Sequence, residues 1–233
     1  MSDLTLDKSE MLTSSIEDAP DCGLYIVLPP TYDHEKQGFQ LGQALHAANR
    51  FSKYSLNRHI VEFRPNPESP EPFQIAKSYQ EISHRNGFIF LVYDNPELAR
   101  SVGADGILCS SLNTATLSRK LLDENSIIGL RCSTLDMAKS ASQHELDFIT
   151  IYTEKNGTPL LDILNWWVMS TDNLIAVEGF FDPENCQNFV KAGANFIDSA
   201  HHIWTHPSGN PMQGTVNMLD AFERHKTIQK KLN

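Results

Sequence analysis

From Gly23 onward, short apolar runs alternate with longer stretches in which apolar residues recur every three or four positions. The short runs are Leu24–Leu28, Ile60–Phe63, Phe88–Val92, Gly106–Cys109, Ile127–Leu130, Phe148–Tyr152, Leu174–Val177 and Phe196–Ala200. Most are too short for helices and are bounded by Gly, Asn, Asp or Pro, so they read as strands. Between them lie helix starts. Asn95-Pro96, Thr158-Pro159, Asp182-Pro183 and Asn210-Pro211 each set a capping side chain before a proline, and Ser69-Pro70 repeats the arrangement. Proline in the first turn loses no hydrogen bond and already holds a helical φ. Ser133-Thr134-Leu135-Asp136 reads as a capping box with Asp in place of Glu. Leu160, Leu164 and Trp167 mark one apolar helix face, and Met212, Val216, Leu219 and Phe222 another. Trp166 then faces outward, either to solvent or to a subunit contact. Gly103 and Gly193 sit where a left-handed helix terminus favours glycine.

Alternating strands and helices imply parallel strands joined by crossover helices. Eight such units in about 210 residues predict an α/β fold, a single-domain (β/α)8 TIM barrel spanning 23–233. An open doubly wound sheet is the alternative. In a barrel, chemistry gathers at the C-terminal ends of the strands. Those ends carry Glu62 and Arg64, Asp94, Ser110 with Asn113 beyond it, Arg131 and Ser133, Lys155, Glu178 and Gly179, then Asp198, His201 and His202. Alternation points Glu62 and Arg64 to the same side of their strand. This mixture of charges suits a polar ligand with an anionic group, and equally a set of self-neutralising ion pairs.

Charge narrows the partners. The chain holds 19 basic and 29 acidic residues, a net −10. Residues 1–22 contain six acids and one base, so half the net charge lies in a polar acidic leader expected to be disordered. The balance argues against nucleic acid and anionic membrane, which reward clustered Lys and Arg. No run approaches the ~20 apolar residues of a membrane helix. Four scattered cysteines without a CxxC predict a reduced, cytoplasmic protein, and a homo-oligomer stays open.

The segments Ala104-Asp105-Gly106-Ile107-Leu108, Ile127-Ile128-Gly129, Ile175-Ala176-Val177-Glu178-Gly179, Asp182-Pro183-Glu184-Asn185 and Ala192-Gly193-Ala194-Asn195 occur in a particular order and spacing. In that set the chain resembles the thiamine-phosphate synthases and their thiazole-tautomerase relatives, the TenI-like superfamily, from about Gly23 to Ile203. The resemblance implies a protein of thiamine biosynthesis that joins a pyrimidine methyl diphosphate to a thiazole phosphate and releases pyrophosphate. It also implies Mg²⁺, held through Asp94, to neutralise the diphosphate. The carried-over catalytic set is Arg64, Asp94 and Arg131. Substrate and phosphate contacts would fall to Glu62, Asn113, Ser133, Lys155, Glu178, Gly179, His201 and His202.

Several of these positions depart from the family pattern. Its Gln-x-Arg-x-Lys on strand 2 is Glu62-Phe63-Arg64-Pro65-Asn66 here, its second metal carboxylate is Asn113, and its Gly-Gly after strand 7 is Glu178-Gly179. The tautomerase histidine falls near Tyr152. A carboxylate at a phosphate site repels its ligand unless an arginine neutralises it, so the activity is expected to be altered or lost. The alternative is a non-catalytic member that binds a phosphorylated or heterocyclic thiamine-pathway metabolite. A third reading is a different enzyme built around Asp198, His201 and His202.

Overall fold

The computed structural model describes residues 22–30, 33–51, 59–66, 68–69, 71–153 and 157–232, with side chains as far as Arg224. The expected leader, apart from Cys22, lies outside the described residues, as do Pro70 and Lys155. Eight strands run β1 (Gly23–Val27), β2 (Ile60–Phe63), β3 (Ile89–Tyr93), β4 (Gly106–Cys109), β5 (Ile127–Cys132), β6 (Phe148–Ile151), β7 (Leu174–Val177) and β8 (Phe196–Asp198). All pair in parallel with their sequence neighbours, and β8 returns to β1, closing the barrel. The alternating pattern of the sequence is thus the (β/α)8 arrangement, and the open sheet is excluded.

The helices are α1 (His34–Phe51), α2 (Pro72–Arg85), α3 (Pro96–Val102), α4 (Leu112–Leu121), α5 (Leu135–Ala141), α6 (Leu160–Ser170), α7 (Gln187–Lys191), α8 (Ala200–Trp204) and α9 (Pro211–Leu232). Asn95 caps α3 by accepting from the Leu98 N–H, and Asn210 accepts from the Met212 N–H at the start of α9. Gly103 ends α3 with φ +71°, a left-handed turn that glycine adopts without a Cβ clash. The capping box at Ser133 is shifted by one residue. Thr134 is the extended residue that accepts from the Met137 N–H, while Ser133 is buried and turns its hydroxyl toward the Met137 sulfur. Neither Thr158-Pro159 nor Ser69 supplies a cap, since α6 and α2 begin after Pro159 and Glu71 without a side-chain cap bond.

Two cores follow from the strand alternation. Outward side chains such as Val61, Phe90, Ile128 and Ile175 pack beneath the helices, together with Trp167, whose indole N–H donates to the Asn173 carbonyl. Inward side chains, among them Ile60, Leu91, Leu108 and Phe148, fill the barrel. Gly129 belongs to that inner set by position, and a Cβ there would stand 2.3 Å from the Phe148 ring. All four cysteines are buried, and Cys109, Cys132 and Cys186 are free thiols. Cys109 and Cys132 face the helix layer, and burial pushes both thiols up to about 12, which leaves no reactive thiolate.

The Ala-Asp and Ala-Asn segments have a structural role at the opposite end of the barrel from the mouth. Asp105, Asp147 and Asn195, each just before a strand, accept from the N–H groups of Phe90, Ile128 and Ile175 on the preceding strand. His59 makes the corresponding bond from the Leu24 N–H through Nδ1. Each pins a strand start whose N–H would otherwise be buried without a partner. Among the described residues no helix is long and apolar enough to cross a membrane.

Candidate functional site

Strand alternation delivers one polar inward residue to the mouth from almost every strand. Glu62 on β2 is fully buried and accepts from the Tyr25 hydroxyl at 2.6 Å and from Arg64 Nε at 2.5 Å. Across the barrel, Glu178 follows β7 and accepts three hydrogen bonds from Arg131, at 2.8 to 3.0 Å. Arg64 Nη2 lies 3.0 Å from Glu178 Oε1, near enough for attraction though poorly aimed for a hydrogen bond. The result is a chain of alternating charge, Glu62–Arg64–Glu178–Arg131. The two arginines therefore neutralise the two glutamates, the second of the alternatives the sequence left open.

Burial and charge act in opposite senses here. Burial pushes the Glu62 carboxyl up against the pull of Arg64, and pushes the Tyr25 phenol well up with help from Glu62. Burial works against the charge on both guanidiniums, but Glu62 and Glu178 outweigh it at Arg64, and Glu178 does so at Arg131. Aromatic rings back the cations. The Arg131 guanidinium stacks 3.6 Å from the Tyr152 ring centre, and that of Arg64 stands 5.2 Å from Tyr93.

Asp198 ends β8 on the same inward face, in register with Tyr25. Its Oδ1 accepts from the Ala200 N–H at 3.0 Å, and burial, reinforced by Glu178 and Glu62, pushes its carboxyl up to about 7. This short turn also stops the strand. The expected run to Ala200 ends at Asp198, and His201 and His202 sit in α8, so they do not alternate across a strand. His201 is exposed, with its ring edge-to-face on Phe180. His202 is half-buried against His206, and burial first and then His206 lower its pKa.

The remaining expected residues do not join the cluster by any contact among the described residues. Asp94 is exposed at the end of β3 with φ +51°, and its two oxygens accept from the backbone N–H and hydroxyl of Ser110, at 2.8 and 2.7 Å. Asn113 is exposed in the first turn of α4, Ser133 is buried against Met137, and Gly179 lies under the Phe181 ring. Sequence reasoning passed over Tyr25, Tyr93, Tyr152 and Thr150. The available signal was their position, since each polar side chain stands at an inward position of a strand or just beyond it. Thr150 is fully buried, and its hydroxyl has no partner among the described residues.

A magnesium ion requires several oxygen ligands in octahedral array. Asp94 offers one carboxylate already holding two hydrogen bonds, and Asn113 a neutral amide. Glu62 and Glu178 are spent on arginines. Among the described residues no group of three or more His, Cys, Asp or Glu could hold a metal. These side chains do not enclose a Mg²⁺ ion by themselves, and Asp94 is the carboxylate that would hold one beside substrate phosphates and water.

Residues 24–203 match the family model described as thiamine monophosphate synthase. The thiamine-phosphate synthase of Rhodospirillum centenum is 25% identical over 199 residues, covering 81% of this chain and 92% of that protein. That of Erythrobacter litoralis is 23% identical over 197 residues, covering 80% and 87%. The solved structure of thiamine phosphate pyrophosphorylase from Pyrococcus furiosus superposes with a TM-score of 0.70 at 17% identity, covering 88% of this chain and 97% of that one, a likeness of fold. With the family match spanning most of the barrel, the chain belongs to the thiamine monophosphate synthase family and is a thiamine-phosphate synthase-like protein.

Proposed function

We propose that this protein serves thiamine biosynthesis through a small heterocyclic metabolite bound at the barrel mouth, and that the family's pyrophosphate-releasing reaction is lost or greatly slowed in it. The observation that carries this reading is the position of Glu178. It stands where the resembled enzymes have a bare glycine, and it engages both guanidiniums that could have met a phosphate. Departure of a diphosphate depends on cations or oriented donors fixed where negative charge develops. Here Arg64 and Arg131 face carboxylates, and the β3 and β4 ends offer a metal one carboxylate, Asp94, which already holds two hydrogen bonds. What these residues supply instead is a mouth whose two described arginines are paired and whose rim carries Tyr93 and Tyr152. The buried free thiols of Cys109, Cys132 and Cys186 accord with a reducing cytoplasmic location.

The test supplies the purified protein with the pyrimidine methyl diphosphate, the thiazole phosphate and Mg²⁺, and follows pyrophosphate release beside an active family synthase. Release should be at least about a hundredfold slower, the scale of losing an oriented charge-stabilising group. Calorimetry with the individual heterocycles should still register binding. Turnover within tenfold of the active synthase would overturn the proposal.

A further inference from the structure

The charges at the mouth do not cancel completely. Among the described inward residues there are three carboxylates, Glu62, Glu178 and Asp198, and two guanidiniums, both held by the glutamates. Asp198 forms no ion pair among the described residues. Only its Oδ1 accepts a hydrogen bond, from the Ala200 N–H, and the residue is only partly buried, so Oδ2 is left for a ligand. On the same inward face Thr150 lies beside Arg131 in register and one inward position below Glu178. Its hydroxyl is fully buried without a partner among the described residues, a second polar group that the protein itself leaves unsatisfied. Buried polar groups are normally paired, and this one lies sealed beneath the Glu178–Arg131 pair. Around the rim the surfaces are flat: the rings of Tyr93 and Tyr152, and Phe180, which is 82% exposed and braced by His201.

We propose that Asp198 is the recognition carboxylate of this mouth, and that the ligand it selects is a flat, cationic nitrogen heterocycle without a phosphate. This rests on the reading that the mouth serves a thiamine-pathway heterocycle, and it specifies the charge of that ligand. A phosphate entering here meets a surplus carboxylate and two arginines already paired. Among the described inward residues, a cation meets a carboxylate that no arginine contacts, and an aromatic ring gains the tyrosine and phenylalanine faces. The groups that act on Asp198 are Tyr25, in register with it on β1, and the charges of Glu178, Glu62 and Arg64. Within that set the Asp198 proton is held to about pH 7, first by burial and then by the neighbouring carboxylates, so binding of a fixed cation should release it.

Three probes test this by calorimetry: thiamine, whose thiazolium charge is fixed, thiamine monophosphate, and N-methylpyridinium. Thiamine should bind at least tenfold more tightly than its monophosphate. Its affinity should rise about tenfold from pH 6 to pH 8, as a carboxyl titrating near 7 passes from mostly protonated to mostly ionised. The D198N variant, checked for folding by its melt, should lose that rise and bind about tenfold more weakly. The pH profile of the wild-type protein carries the test if the variant fails to fold. Tighter binding of the monophosphate, or an affinity independent of pH, would overturn the proposal and leave the pathway reading standing. Binding of N-methylpyridinium as strong as that of thiamine would support the charge rule while removing the pathway reading. Binding of none of the three would overturn both.

Discussion

Replacing Glu178 by glycine, the residue the resembled enzymes carry there, separates the two roles open to Arg64 and Arg131. Three hydrogen bonds from Arg131 and the close approach of Arg64 disappear together. Removing one partner of a buried ion pair costs about 3–5 kcal/mol. The Arg131 and Arg64 side chains retain 22% and 32% of their exposure, so water can solvate part of the released charge, and about 2–3 kcal/mol is the better figure. Glycine adds roughly 0.5–1 kcal/mol of backbone entropy. A chain of this size should then melt some 5–16 °C lower. The freed guanidiniums form an anion site. With a Kd of about 1 mM, 50 mM phosphate would restore roughly 2.3 kcal/mol, whereas the native protein, its arginines occupied, should respond by a few tenths at most. Thermal melts in phosphate and in chloride at matched ionic strength measure the difference. Equal phosphate shifts for the native protein and E178G would refute the idea that Glu178 occupies an anion site. E178Q, which keeps the side-chain volume and removes the charge, should respond between the two.

Other expected outcomes follow from single contacts. Folded Asp198 keeps its proton to about pH 7 against an ordinary value of 3.8, so the native state binds more protons than the unfolded chain between those limits. Stability should therefore be highest at the acid end of that window and fall as pH rises toward 7. D198N should flatten this slope and exceed the native protein by about 2 kcal/mol at pH 8, measured by urea denaturation across pH. G129A drives a methyl group into the Phe148 ring in the barrel interior and should cost roughly 1–3 kcal/mol, or prevent folding. A denaturation midpoint equal to that of the native protein would show that the ring can move aside. D105A removes the acceptor of the Phe90 N–H and the partner of His84. It should lower stability by about 1–3 kcal/mol while leaving thiamine affinity by calorimetry unchanged, because the contact lies at the end of the barrel away from the mouth.

The strands were legible because a parallel barrel buries both faces of each one, leaving short continuous apolar runs between helical patterns. Ile60–Phe63, Gly106–Cys109 and Leu174–Val177 match the expected bounds. The differences arise where a side chain competes with the backbone ladder. Asp198 bonds to the Ala200 N–H and ends β8 early, and Thr134 displaces Ser133 as a cap because it holds the extended conformation that a cap needs. At the mouth, strand parity placed Glu62 beside Arg64. It could not say that Glu178, across the barrel, would bind both arginines, because that pairing depends on barrel closure and on side-chain length.

That dependence bears on how the family's pattern should be carried from one sequence to another. Arg64 is the family's own residue at its expected position, yet in this mouth its charge is directed to two carboxylates the family lacks there. The effect of a retained residue is set by the sum of charges facing it, and an arginine between Glu62 and Glu178 offers an anion little that water does not. Asp198 illustrates the converse. A carboxylate outside the carried-over phosphate set is left without an ion pair among the described residues, because the two described inward arginines are held by the other two. The departure from the family is therefore collective. Glu62 alone would pair with Arg64 and leave Arg131 for phosphate, and Glu178 alone would leave Arg64 only partly engaged. Both glutamates together close the chain of charge, and only then does a third carboxylate turn the mouth from an anion site toward a cation site. E62Q combined with E178G should accordingly strengthen phosphate binding beyond what either change achieves alone. Strictly additive effects in that double-mutant cycle would show that the two glutamates act independently.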